Sequence, residues 1–132
     1  MGLGVNLGDT PPRLKPAQQA QYRRWGLAEF NPARHDFGDK QLLGQTIKGQ
    51  GAAEIDQVLD LLARQPATAR HVSRQIAQYL VADEPPPALV ERMAQRWLAS
   101  DGDIAAVLRT LVASPEFEAS LGRKFKDPVH YV

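Results

Sequence analysis

Four times between residues 55 and 111, large apolar side chains recur three and four positions apart, and each recurrence ends in proline or glycine. Ile55, Val58, Leu59 and Leu62 make the first stripe, and Ala69, Val72, Ile76, Tyr79 and Leu80 the second. Leu89, Val90, Met93 and Trp97 make the third, and Ile104, Val107, Leu108 and Leu111 the fourth. A period near 3.6 places such positions on one helix face, whereas a half-buried strand requires alternation. Local chemistry marks the ends. Pro66 opens the second helix at a position where its missing N–H costs nothing. The third runs from about Pro86 to Ser100, Asp101-Gly102 turns the chain, and Asp103 caps the fourth. Ser114-Pro115-Glu116 starts a short fifth helix that ends near Leu121-Gly122. With connections this short, the expected fold is mainly α, an antiparallel cluster of four to five helices. Its core is expected to hold Leu59, Leu62, Val72, Ile76, Met93, Trp97, Val107, Leu108 and Leu111.

The first part of the chain reads differently. Residues 1–24, with Gly2, Gly4, Gly8, Pro11, Pro12 and Pro16, have the composition of a flexible segment. The glycines do not make a phosphate loop, because no Lys-Ser or Lys-Thr follows them. A small N-terminal β-ribbon is expected at about 28–48, with Asn31-Pro32 as a turn and short extended pieces around Gly44. Such a ribbon is marginal alone and must lean on other structure, with Trp25 and Phe30 packing it down. The helical domain with its ribbon then covers 25–122. Residues 123–132 form a tail, in which Asp127-Pro128 opens an element cut short at Val132, so the chain is expected to be a segment excised from a longer protein.

Composition narrows the function classes. The 132 residues carry a formal charge of +1, so no global field draws nucleic acid or an anionic membrane, and anion binding would need a local cluster. The absence of cysteine excludes disulfides, thiolate metal sites and thiol nucleophiles. No run approaches the roughly 20 apolar residues that span a bilayer, so no membrane insertion is expected. The basic stretch "GRKFK" is too small, and too far from any reader motif, to predict nucleic-acid binding.

The stretches "FNPARHDFGDKQLLGQTIKGQG", "AEIDQVLDLLARQPATARHVSRQIAQYLV" and "SDGDIAAVLRTLVASPEF" carry an ordered series: "HDFGDK", Gly44, "LLARQPATA", "GDI" and "SPEF". Over residues 25–122 this series resembles the C-terminal part of the bacterial family filed as domain of unknown function 1800. The resemblance implies a longer parent chain, exported in some members, and it brings no catalytic residues with it.

Chemistry has one conspicuous candidate. "HDFGDK" could make His35 a base or metal ligand, Asp36 or Asp39 its orienting carboxylate, and Lys40 an anion binder. The competing reading is a polar turn, with Asp36 and Asp39 bonding local N–H groups, Gly38 at positive φ and Lys40 paired to a carboxylate. The spacing matches no standard metal motif, and neither metal nor cofactor is expected. Arg70 and Arg74, with Arg64 and His71 nearby, are candidates for anion binding; the plainer expectation pairs the arginines with Glu54, Asp56 or Asp60. The functional expectation is a helical accessory or interaction module, whose partners are the rest of its own longer chain and other proteins. The alternative is part of an enzyme, or of an anion- or metal-binding site, completed by an absent N-terminal portion and using the "HDFGDK" loop.

Overall fold

The computed structural model describes residues 2–8 and 12–124. The expected tail element at Asp127-Pro128 lies outside the described residues. The chain divides into two compact units, residues 1–60 and 61–132, with the boundary inside a helix.

The first unit is built from short strands. β1 (Leu3–Val5), β2 (Arg23–Trp25) and β3 (Ala28–Phe30) form an antiparallel sheet in the order β1-β3-β2, and β4 (Lys40–Leu42) pairs with β5 (Gln45–Ile47) in a hairpin. A four-residue helix, α1 (Pro16–Gln19), precedes β2. Thus the segment read as flexible contributes β1, α1 and the start of β2. The turn joining β4 to β5 places Leu43 and Gly44 at φ 50 and 76, the twist that two-residue hairpin loops require. Among the described residues of this unit, the buried side chains include Phe30, Pro32 and Ile47, alongside the buried polar residues Glu29, Asn31 and Glu54.

The helices follow as the periodicity predicts: α2 (Ala53–Ala63), α3 (Pro66–Leu80), α4 (Pro87–Ala99), α5 (Ile104–Val112) and α6 (Pro115–Ser120). The fold is mainly helical, with a small N-terminal antiparallel sheet. Asp103 caps α5 by accepting from the N–H groups of Ala105 and Ala106 at 2.8 and 3.2 Å. Ser114 caps α6 through the Phe117 N–H.

In the second unit the core joins Ala69, Ala77 and Val81 to Leu89, Met93, Ala94 and Trp97, with Val107 and Leu111 closing it. Trp97 satisfies its indole N–H on the Ala63 carbonyl at 2.9 Å. The expected core needs correction at several positions. Leu59 and Leu62 are 58% and 39% exposed, Tyr79 is exposed, and Leu108 is only half-buried. On α3 the fully buried line is Ala69, Ser73 and Ala77, with Val72, Ile76 and Leu80 flanking it. Small residues four apart let α4 approach closely, so the larger side chains are displaced to the edges of the contact. Choosing core positions by size therefore selects the wrong ridge.

Candidate functional site

Glu54, in the first turn of α2, gathers the residues that stood out in sequence. The chain leaves β3 at Phe30, and Asn31 caps a single 3-10 turn, Pro32–Arg34, by accepting from the Ala33 N–H at 3.0 Å. That turn delivers His35, whose Nε2 lies 2.8 Å from Glu54 Oε1. The Gly51 N–H donates to the same oxygen at 2.8 Å, and Lys40 Nζ reaches Oε2 at 2.8 Å. The His35 and Glu54 side chains are each only 6% exposed. The His35 ring meets Phe30 and Phe37 edge-on, with centroids 5.1 and 4.8 Å away.

The electrostatics follow from this crowding. Burial pushes the Glu54 carboxyl up, but donors from Lys40, His35 and Gly51 outweigh it and bring the group to about 2. An ionised carboxylate can only accept, so His35 carries a proton on Nε2. Its Nδ1 is buried with no hydrogen-bond partner among the described residues.

The rest of the loop is bonded to itself and to the residues just after β5. Asp36 Oδ1 accepts from the Gly38 N–H at 2.8 Å. Asp39 accepts from Lys48 Nζ at 2.6 Å and the Gly49 N–H at 3.1 Å, and these bonds, Lys48 first, pull its carboxyl down. Lys40 Nζ also donates to the carbonyls of Asp36 and Gly38, at 2.5 and 2.9 Å. Its three donors are therefore all used.

Two glycines that the sequence reading passed over are structural partners of the loop. A Cβ on Gly49 would sit 1.8 Å from the Phe37 carbonyl oxygen, a distance no side chain permits. Gly51 has φ +73 and directs its N–H at Glu54. Gly38, expected at positive φ, is not; a Cβ there would crowd Asp36 Oδ1 at 3.2 Å. Glu54 was visible in sequence only as one of several carboxylates for the arginines. Nothing local signals its pairing with a histidine 19 residues earlier.

The arginine candidates lie in the second unit. Arg70 pairs with Glu91, Nε to Oε2, at 2.9 Å, and Arg64 pairs with Asp101 at 3.0 Å. Neither Glu91 nor Asp101 was among the expected carboxylates, Glu54, Asp56 and Asp60. Arg70, His71 and Arg74 line a surface hollow of about 710 Å3 whose other walls include Glu84, Pro85, Pro86 and Glu91. Two carboxylates in the same wall reduce its attraction for an anion. Among the described residues, no group of three or more His, Asp or Glu is placed to hold a metal ion. Nor is any described helix long and apolar enough to cross a membrane.

A mainly helical domain with a small sheet at its start, and a carboxylate-centred polar knot in that sheet unit, is the class these features define. The chain matches the family described as "protein of unknown function (DUF1800)" over residues 4–132 and belongs to it. No curated protein and no solved structure matches the chain.

Proposed function

We propose that the chain is a non-catalytic interaction module, the C-terminal part of a longer bacterial protein as the sequence resemblance implies, and that "HDFGDK" fastens its sheet unit together. One observation carries this reading: apart from His35 Nδ1, the polar side chains of the loop bond the protein itself. His35 Nε2 and Lys40 Nζ bond Glu54, Lys40 also bonds two loop carbonyls, and Asp36 and Asp39 bond the N–H groups of Gly38 and Gly49. A group committed in this way is not free to bind or activate a substrate.

Thermal melts of His35→Ala and Asp36→Ala against the parent test it. A fastener predicts lower melting temperatures for both. The loss for His35→Ala should be the larger, because it empties an aromatic pocket and removes a donor from a buried carboxylate. Asp36→Ala should cost about 1 kcal/mol, one local hydrogen bond. Unchanged or raised melting temperatures for both variants would overturn the proposal, since groups arranged for chemistry are often neutral or unfavourable for stability.

A further inference from the structure

At the end of the three-stranded sheet where β2 turns into β3, several large apolar side chains are exposed. Val5, Ala28 and Trp25 stand in one row across β1, β3 and β2. The Asn6 N–H donates to the Leu27 carbonyl at 2.8 Å, which brings the chain leading to Leu7 against the turn. Val5, Leu7, Trp25 and Leu27 are 72%, 81%, 54% and 61% exposed. Scattered apolar residues on a surface mean little, but four large ones at one hairpin end form a patch that needs a reason.

The charge around the patch supplies one. By sequence, residues 12–34 hold five basic side chains against one acid, Glu29; of these Arg23 and Arg24 adjoin Trp25 on β2, where Asp56 shares a hollow with Arg23 and Trp25. Glu29 is buried and accepts from Asn6 Nδ2 and the Tyr22 hydroxyl at 2.8 and 2.9 Å. The near-neutral total of +1 conceals this imbalance. Arg23 donates to the carbonyls of Ala20 and Tyr22, and Arg24 to those of Gly26 and Asn6. Carbonyls orient a guanidinium without cancelling its charge. Arg64, Arg70 and Arg92, by contrast, each sit on a carboxylate.

We infer that this hairpin end docks on an anionic lipid surface, with Trp25, Leu27, Val5 and Leu7 in the interfacial layer and Arg23 and Arg24 at the phosphates. It rests on the reading of the chain as an interaction module and names the partner. Tryptophan with aliphatic neighbours favours the boundary between headgroups and acyl chains, and adjacent cations add attraction to anionic lipid. A hairpin end of four side chains falls well short of the roughly 800 Å² that each side of a stable protein interface buries, whereas a deformable lipid layer accommodates it. Such docking lies on the membrane and does not span it.

The test is co-sedimentation of the whole chain with phosphatidylcholine vesicles, with and without phosphatidylglycerol. Binding is expected only to the anionic vesicles and should weaken with salt. A Trp25→Ala/Leu27→Ala double variant should lose binding at least about tenfold through lost apolar burial. Its melting temperature should not change, since both side chains are exposed. Arg23→Gln should lose binding about fivefold. Absence of binding at low salt, or equal binding by the double variant, overturns the inference. Binding to soluble poly-glutamate as tight as to vesicles overturns it in favour of an acidic protein partner. None of these outcomes bears on the loop as a fastener, which the His35 and Asp36 melts read separately.

Discussion

Glu54 shows how much one side chain can organise. Its carboxyl, ordinarily near 4.5, is pushed up by burial and brought down to about 2 by Lys40, His35 and Gly51. Because the folded value is the lower one, the stabilisation is complete above about pH 4.5 and is lost as the pH falls towards 2. The amount at stake is about 3 kcal/mol. Acid titration of Glu54→Gln should therefore lack the part of the unfolding curve that the parent shows in that window. Superimposable acid limbs for the two proteins would refute this. Gly49 makes a second, purely steric prediction. With the Phe37 carbonyl 1.8 Å from where a Cβ would stand, Gly49→Ala must move either the loop or the segment that follows β5, at about 2–4 kcal/mol. A urea midpoint equal to the parent's would show that the backbones separate more easily than this geometry implies. The candidate residues His35, Asp36 and Lys40 were conspicuous in sequence because polar residues clustered round Gly38 are unusual. Their partners were not conspicuous, because Glu54, Gly49 and Gly51 are unremarkable until the chain folds back.

Among the elements, the helices were legible to within a few residues. Prolines at 66 and 115 and caps at Asp103 and Ser114 act within one turn, so the information that sets a helix end lies next to it. The strands were less legible. β1, β2 and β3 are three residues each, too short for alternation to show, and β1 sits among glycines. Which face of a helix is buried also escaped the stripe, since α3 meets α4 through Ala69, Ser73 and Ala77. Leu111 and Leu108 separate the two accounts of α5. Leu111 is fully buried, and Leu111→Ala should cost about 2–5 kcal/mol. Leu108 is only half-buried, so Leu108→Ala should cost clearly less, although periodicity alone ranks the two equally. Chemical denaturation of both variants checks the order, and a larger loss at Leu108 would mean that α5 is rotated.

For the molecule as a whole, the two units differ in what holds them. The described core of residues 61–132 is a connected apolar cluster, from Ala69 to Leu111. The described part of residues 1–60 buries Phe30, Pro32 and Ile47 beside Glu29, Asn31, Glu54 and the His35 ring, and relies on hydrogen bonds and short ladders. Amide exchange should accordingly be slowest in α3, α4 and α5, with the sheets opening at lower free energy. Slower exchange in β1–β3 than in α4 would reverse that ranking. Local sequence set the helices α2–α6 and most of their ends, the turns at Gly44 and Asp101-Gly102, and the family, because each depends on residues within a few positions of one another or on an ordered series of motifs. Tertiary structure alone decided that β1 pairs with β3, that Glu54 receives His35 and Lys40, and that small residues line the α3–α4 contact. Those outcomes join residues far apart in the chain, and they depend on which groups can approach closely enough to exclude water and satisfy one another's hydrogen bonds.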